Sequence, residues 1–222
     1  MDKPRYLKKP IGSIDSLSKA LSKDKKRLIS LADEADSFYY LHEKREKPDG
    51  TFREIYAAKS ELKVLQKSIH ERLFSNVDFP YYLQGGIKDI IIPRSHIKAV
   101  KFHKNAKLLV SMDISNFFPS LTSEVVFDIW KRFFNFPAPV AQLLTKLTTF
   151  NGTLPQGAST SQDLANLAFW DRESDVVDKL QRNGFKYTRY VDDVTVSSTT
   201  YIEMKELSPI FENIFGYDLE EQ

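Results

Sequence analysis

The chain has 222 residues, of which 41% are hydrophobic and none is cysteine, and its formal net charge at pH 7 is +2. That length and apolar content suit one large domain or two small ones, and the absence of cysteine excludes disulfides and thiolate metal sites. The sequence has no run of 18 apolar residues and begins without the apolar segment of a secretory signal. We therefore expect a cytoplasmic protein that does not span a membrane.

The first part of the chain is predicted to be helical over residues 11–42, because its apolar residues recur at helical spacing. These residues are Ile14, Leu17, Leu21, Leu28 and Leu31. A turn is predicted from Lys44 to Gly50, and a short strand from Phe52 to Tyr56. An amphipathic helix follows, and its apolar face consists of Leu62, Leu65, Ile69 and Leu73.

The middle of the chain alternates irregular segments with regular ones. Residues from Phe79 to Pro93 are predicted to be irregular, and the apolar run from Leu108 to Ile114 has the length of a strand. A helix with a large apolar face follows, capped by Thr122 or Ser123. Residues 150–160 are rich in Gly, Ser, Thr and Pro, which predicts a loop.

The last part of the chain is predicted to contain a long helix from about Ser161 to Arg182, stopped by Asn183-Gly184. Residues 185–198 read as two alternating strands around a tight turn, which is a β-hairpin. A final helix is predicted from about Glu203 to Phe215. The order strand, helix, helix, hairpin, helix indicates an α+β fold.

Two predicted strand ends carry carboxylates. Asp192 and Asp193 stand at the hairpin turn, and Asp113 closes the apolar strand. Each has an ordinary structural explanation alone, because Asp is favoured in turns and at strand ends or helix caps. A carboxylate that closes an apolar strand is nevertheless costly to bury unless it is paired or bound to a metal. Together the strand ends suit two Mg²⁺ ions, which can hold the attacking and leaving oxygens of a phosphoryl transfer.

Four motifs resemble those of reverse transcriptases. Tyr190-Val191-Asp192-Asp193 resembles their YxDD box, and residues 113–120 (DISNFFPS) resemble the first catalytic motif of the bacterial enzymes. Residues 154–161 (LPQGASTS) resemble the LPQGxxxS motif, and residues 49–55 (DGTFREI) resemble the fingers motif. The motifs stand in the family's order, and the resemblance is greatest to retron reverse transcriptases and related bacterial defence enzymes.

The resemblance implies an α+β right-hand polymerase, with fingers and with a palm whose antiparallel sheet is flanked by helices. It implies an N-terminal helical segment at 1–45, fingers at 46–107 and a palm at 108–222. The sequence stops before the lysine expected in the next palm motif. We therefore expect an incomplete palm without a thumb, which is either part of a longer polymerase or completed by a partner.

The resemblance also implies roles for single residues. Asp113 and Asp192 would ligate the metals, with Asp193 as the supporting carboxylate, and Tyr190 would pack near the primer end. Phe118 stands five residues after Asp113, where the family has the steric gate that rejects a ribose 2′-hydroxyl. The residues implied to bind the nucleotide are Lys47, Arg53, Ser115, Asn116, Phe117, Phe118, Gln156 and Gly157.

The implied function is RNA-directed DNA synthesis, in which dNTPs are added to a primer 3′-hydroxyl with Mg²⁺ as cofactor. The implied partners are an RNA template, a DNA or RNA primer and, in a retron or anti-phage defence system, a structured non-coding RNA and a defence effector protein. A template-independent or protein-primed nucleotidyl transferase stays open, as does a non-catalytic scaffold subunit.

The sequence departs from the retron pattern at two places. Gln162 stands where the family usually has proline, and Lys98 stands where the Asn-Ala-x-x-His motif of retron enzymes has asparagine. Lys98 also belongs to a basic cluster with Lys101, Lys104 and Lys107. Such a cluster is either a solvated face or a contact for nucleic acid.

Overall fold

The computed structural model describes residues 2–46, 50, 52–88, 94–201 and 219–221, the last three by their backbone. Its helices are α1 (Ile14–Leu21), α2 (Lys25–Asp33), α3 (Ser60–Arg72), α4 (His96–Phe102), α5 (Phe117–Ser120), α6 (Ser123–Asp128), α7 (Ala138–Thr148), α8 (Ser161–Asn166) and α9 (Glu173–Arg182). Its strands are β1 (Arg5–Tyr6), β2 (Tyr39–Glu46), β3 (Phe52–Ala58), β4 (Val77–Asp78), β5 (Leu108–Ile114), β6 (Phe185–Tyr190), β7 (Asp193–Ser198) and β8 (Leu219–Glu221).

Two features of these elements bear directly on the sequence predictions. Within the described ranges, helices accompany antiparallel strand pairs, which confirms the α+β class. In the same ranges, no helix combines the length and the apolar character that a bilayer crossing requires. The final helix predicted from Glu203 to Phe215 lies outside the described residues.

The chain divides into two compact units, each built from separate segments of sequence. The sheet unit consists of Met1–Pro4, Phe79–Phe117 and Phe169–Gln222. The helical unit consists of Arg5–Asp78 and Phe118–Ala168. Because the chain enters each unit more than once, the units do not coincide with the boundaries predicted after residues 45 and 107. The assignment of fingers and palm to residue ranges stays a prediction.

The N-terminal helices of the helical unit are shorter than the apolar spacing predicts. Ser22 ends α1 in a left-handed conformation, and the side chain of Asp24 accepts a hydrogen bond from the backbone N–H of Arg27 to cap α2. The prediction of helix is wrong for residues 39–42, because β2 begins at Tyr39 and pairs with β3 as far as Glu46. The pairing partner, and not local periodicity, decides the conformation of this segment.

The core of the helical unit is arranged around α3. Its predicted apolar face is confirmed, since Leu62, Leu65 and Ile69 are buried. Gln66 lies on the same face, and its amide nitrogen donates to the hydroxyl of Tyr39 at 2.7 Å and to the carbonyl of Leu147 at 2.9 Å. These bonds connect α3 to the β2–β3 hairpin and to α7, a helix that the sequence analysis did not predict.

The helix that follows Thr122 changes its winding partway. It is α-helical to Asp128 and π-helical over residues 129–133. The rings of Trp130 and Phe134, four positions apart, stack at 4.7 Å between centroids, and both side chains are buried. The predicted apolar face is therefore confirmed, whereas Thr122 occupies the cap position without a side-chain cap bond.

The described part of the sheet unit contains a four-stranded antiparallel sheet in the order β6-β7-β5-β8. The predicted strand at 108–114 and the predicted hairpin at 185–198 are both confirmed. The predicted continuous helix from 161 to 182 is wrong in its middle, because α8 ends at Asn166 and α9 begins at Glu173. No proline or glycine marks this break in the sequence.

His103 attaches the end of α4 to the sheet. It is buried, and its two ring nitrogens lie 2.7 Å from Oγ of Ser197 and 2.8 Å from Oγ1 of Thr188. Burial, and secondarily the positive charge of Lys186, lowers the pKa of His103 to about 4. A neutral imidazole has one nitrogen that donates and one that accepts, so both hydroxyl groups can be satisfied.

We predict that the protein loses stability as the pH falls from about 6.5 towards 4. The unfolded histidine binds a proton near pH 6.5 and the folded one only near 4, so the folded state is progressively disfavoured between these values, by about 3 kcal/mol at most. His103→Gln should flatten this part of the pH profile of urea-unfolding free energies. The control His42→Gln, at an exposed histidine, should leave this part of the pH profile unchanged. The same dependence of unfolding free energy on pH in both variants would contradict the attribution to His103.

Candidate active site

The register of the sheet brings two of the predicted aspartates together. Asp113 near the end of β5 is the direct partner of Asp193 at the start of β7. Directly opposed residues of an antiparallel pair project from the same face, with their Cβ atoms about 4.5–5.5 Å apart. Asp113 is partly exposed and Asp193 is exposed, so both are within reach of a solute.

Asp192 lies in the two-residue turn between β6 and β7. Its backbone carbonyl accepts a hydrogen bond from the N–H of Ile114 at 3.2 Å, which joins the turn to the end of β5. The other turn residue, Val191, has a φ of 64°, a left-handed value that β-branched residues rarely adopt. Such a conformation costs on the order of 1–3 kcal/mol and persists only where the surroundings enforce it.

One of the enforcing contacts comes from the irregular segment at 82–85. This segment runs beside β6, where the N–H of Arg189 donates to the carbonyl of Tyr82 at 2.9 Å and the N–H of Gln84 donates to the carbonyl of Arg189 at 2.8 Å. Gly85 then meets the turn. A Cβ on Gly85 would lie 2.6 Å from Cγ2 and 2.8 Å from the backbone nitrogen of Val191, so only glycine fits there without a shift.

A buried ion pair lies beneath the turn. Arg189 and Glu173 are 0% and 2% exposed, and their side chains form a bidentate pair. Burial alone would lower the pKa of the Arg189 guanidinium, but the charge and hydrogen bonds of Glu173 outweigh it and raise the pKa further. The guanidinium therefore stays charged. Arg189 also donates to the carbonyl of Val191 at 2.8 Å.

Sequence reasoning missed this pair. The available signal was a charge on the inward face of β6, where Arg189 alternates with the buried Phe185 and Tyr187. Its partner could not be inferred, because Glu173 reads as an ordinary first-turn acid of a helix. Gly85 lies within the stretch predicted to be irregular, and its contact with Val191 has no sequence signature.

The carboxylates suit a cation in charge and in donor type. Partial desolvation of its carboxyl group first, and the negative charge of Asp192 second, raise the pKa of Asp193. Within the ranges that the structure describes, no three His, Cys, Asp or Glu side chains are gathered closely enough to hold a metal ion by themselves. Mg²⁺ is usually bound through one or two carboxylates, with water and substrate phosphates completing its shell. The metal roles of Asp113, Asp192 and Asp193 stay a prediction.

Other predicted site residues of the sheet unit follow β5 or end β6. Ser115 and Asn116 form the turn after β5, in which Asn116 is exposed and left-handed with a φ of 48°. Phe117 is buried, and its ring stacks on Phe169 at 5.8 Å. Tyr190, the last residue of β6, is partly exposed and pairs with Asp193, the first residue of β7. The structure therefore gathers these residues near the aspartates, except that Phe117 belongs to the core.

The remaining predicted residues belong to the helical unit. Arg53 is exposed on β3, and Phe118 is partly exposed. Gly157 has a φ of 100°, and a Cβ on it would lie 3.1 Å from the backbone oxygen of Tyr56 on β3, so the 154–161 loop approaches this hairpin closely. Gln156 precedes it and is partly exposed. Lys47 lies outside the described residues.

Comparison with known families gives one matching model, described as reverse transcriptase (RNA-dependent DNA polymerase), over residues 45–217. The solved structure titled Sicinivirus 3Dpol RNA dependent RNA polymerase matches with a TM-score of 0.50, covering 88% of this chain and 47% of that chain at 14% identity. At this identity the likeness concerns the fold alone. It confirms the predicted right-hand polymerase fold.

Three curated relatives are similar in sequence. The Retron Se72 reverse transcriptase of Salmonella heidelberg (strain 579083-10) is 32% identical over 97% of this chain and 56% of its own length. The Retron Ec48 and Ec86 reverse transcriptases of Escherichia coli are 33% and 29% identical, each over 85% of this chain and over 48% and 58% of their own lengths. The chain thus spans about half the length of these relatives.

We predict that Gly85→Ala destabilises the protein by about 1–3 kcal/mol, because the added methyl group collides with Val191 and must displace the turn. The free energy of unfolding in urea measures this change. Gly12→Ala is the matched control, since nothing lies within 4 Å of its Cβ position and its φ is not left-handed. Equal unfolding free energies for the two variants would show that the Gly85 contact is not tight.

Proposed function

The chain belongs to the reverse transcriptase (RNA-dependent DNA polymerase) family, and on that basis we propose that it catalyses RNA-directed DNA synthesis by adding dNTPs to a primer 3′-hydroxyl. The observation that carries the proposal is the pairing of Asp113 with Asp193 beside the Asp192 turn, in the order of the family's motifs. The names of the relatives, which are retron reverse transcriptases, support a retron as the setting. An anti-phage defence role and a location in the bacterial cytoplasm are further parts of the proposal.

A polymerase family implies a divalent metal ion, and the ion we propose is Mg²⁺. Asp113 and Asp192 would hold it, with Asp193 as the supporting carboxylate, since these hard oxygen donors are the ligands that Mg²⁺ prefers. When bound, Mg²⁺ would lower the pKa of the primer hydroxyl and neutralise charge on the triphosphate. The exposure of Asp193 and the partial exposure of Asp113 and Asp192 support access of the substrate to this site.

The chain's own groups would bind and orient the nucleotide. The backbone N–H groups from Ser115 to Phe117 would face the triphosphate, and the left-handed Asn116 supports a sharp turn there. The exposed guanidinium of Arg53 has the planar fork that suits phosphate, and Lys47 would be a second phosphate contact. Gln156 and Gly157 would approach the nucleotide and template, and Tyr190 would pack near the primer end.

The basic cluster supports nucleic acid as the partner. Lys98 and Lys101 are exposed on α4, and Lys104 and Lys107 are exposed between α4 and β5. Lysines that neutralise backbone phosphates release counterions, so binding of an RNA template and a DNA or RNA primer should weaken as salt rises. A structured non-coding RNA and a defence effector protein are proposed as further partners in the retron setting.

We predict that Asp192→Asn in the full chain abolishes Mg²⁺-dependent primer extension on an RNA template and leaves the thermal midpoint within a few degrees. The substitution keeps the size of the side chain and removes the charge that would hold the metal. Steady-state primer extension and thermal melting measure the two effects. Asp175→Asn is the control, because this exposed carboxylate forms an ion pair with the partly exposed Lys3 at 3.1 Å and is not one of the proposed site residues.

The same assay separates the alternatives. Synthesis that needs Asp192 but not a template would favour a template-independent transferase. An inactive wild-type chain that still binds nucleic acid would favour a scaffold subunit. A wild-type rate of primer extension by Asp192→Asn would contradict the proposed mechanism.

A further prediction concerns discrimination between dNTP and rNTP substrates. Phe118→Ala should lower the ratio of kcat/KM for dNTP to that for rNTP by about tenfold or more, because loss of the ring removes the collision with the 2′-hydroxyl. Single-nucleotide incorporation with matched dNTP and rNTP pairs measures the ratio. Phe133→Ala, which truncates another partly exposed phenylalanine, is the control. The same ratio in both variants would mean that Phe118 only packs.

A further inference from the structure

One buried guanidinium contacts the turn that carries Asp192 and lies over a ring in the segment that follows Asp113. Nη1 of Arg189 donates to the carbonyl oxygen of Val191 at 2.8 Å. That oxygen belongs to the peptide bond that leads into Asp192. The guanidinium carbon also lies 6.0 Å from the ring centroid of Phe117, four residues after Asp113 along the chain. Arg189 thus contacts the hairpin turn on one side and the segment after β5 on the other.

The carboxylate of Glu173 fixes the direction of this contact. It accepts from Nε of Arg189 at 2.6 Å and from Nη2 at 2.8 Å, and it accepts from the hydroxyl of Tyr187 at 2.8 Å. A guanidinium is planar and rigid, so once Nε and Nη2 are bound, the orientation of Nη1 follows. Glu173 is the first residue of α9, where the helix dipole favours a negative charge.

Aromatic rings fix the plane of the guanidinium. Its carbon lies 5.3 Å from the centroid of the Phe169 ring, and this ring stacks on Phe117 with 26° between the planes. Arg189, Glu173 and Phe169 are at most 2% exposed. Water therefore cannot take over the hydrogen bonds of the pair, and the orientation depends on the side chains alone.

The arrangement does more than stabilise a core. A buried ion pair often contributes no more stability than apolar residues of the same volume, so stability alone gives little reason for it. Apolar residues could not donate to the carbonyl of Val191, whose left-handed backbone needs a fixed partner. We propose that Arg189, held by Glu173, is a positioning residue that fixes the Val191–Asp192 peptide and so the carboxylate of Asp192; its catalytic meaning rests on the proposed function.

The test removes the pair without leaving a buried charge. In the full chain, Arg189→Met is combined with Glu173→Leu and Tyr187→Phe, so that neither a charge nor a hydroxyl remains unpaired. The thermal midpoint should stay within a few degrees of wild type. Amide hydrogen exchange at Ile114, whose N–H donates to the carbonyl of Asp192 in the turn, should be at least tenfold faster. The kcat for primer extension should fall at least tenfold, the Mg²⁺ concentration at half-maximal rate should rise, and the KM for dNTP should change less than threefold.

A second variant keeps the proposal testable if the triple variant does not fold. Arg189→Lys retains a positive charge opposite Glu173, but one ammonium group cannot occupy the positions of three guanidinium nitrogens. It should show the same changes in kcat and Mg²⁺ requirement at smaller size. Leu180→Ala on α9, where Leu180 is fully buried, is the matched control for destabilisation. Below its melting range, its turn exchange and kcat should stay within twofold of wild type.

The outcomes separate this inference from the proposed function. Wild-type exchange at the turn in the folded variants would overturn the positioning role whatever the activity. Faster exchange with unchanged kcat and unchanged Mg²⁺ requirement would also overturn it, because the turn would then not control Asp192. If the wild-type chain shows no synthesis that depends on Asp192, the proposed function fails, while the exchange data still decide whether Arg189 holds the turn.

Discussion

The antiparallel register of β5 against β7 is the constraint on which the candidate site depends. It pairs residue for residue from Leu108 with Ser198 to Asp113 with Asp193. Because side chains alternate along a strand, a slip of one residue would turn Asp113 towards the face that buries Met112. The apolar side chains that form the core therefore also determine the face on which the carboxylates stand, and the site cannot move without exposing the core.

The two faces of this sheet differ in whether their charged groups are buried and paired or open to solvent. On the inward face, Arg189 is fully paired with Glu173 and is closed to water. On the other face, Asp113 and Asp193 stand side by side with partial or full exposure, and like charges at this spacing favour a cation. His103, on the face of the aspartates, stays neutral between two hydroxyl groups. The carboxylates at the strand ends thus combine negative charge with access to solvent.

Elements whose apolar pattern lies within one continuous segment could be predicted from the sequence. The strand at 108–114 and the hairpin at 185–198 have strand-length apolar runs or period-two alternation, and the structure has both. The prediction was wrong where contacts with residues distant in sequence decide the conformation. Residues 39–42 follow helical spacing but pair with β3, and the helix predicted across 161–182 breaks where Phe169 and Glu173 enter the core. The aspartates could be found as a motif, whereas the support beneath them depends on contacts that no local pattern records.

The segment at 82–84 covers part of the outer edge of β6 and so protects it from pairing with another molecule. Strand β6 lies at one end of the sheet order, and a free outer strand is a template on which another molecule can pair. Near the turn, Leu83 forms a parallel bridge to Arg189, and the N–H and carbonyl of Arg189 are both occupied by this segment. The β6 edge of the sheet next to the turn is thus closed to a foreign strand at Arg189. This part of the molecule can stay open to a solute without offering its backbone to intermolecular β-pairing.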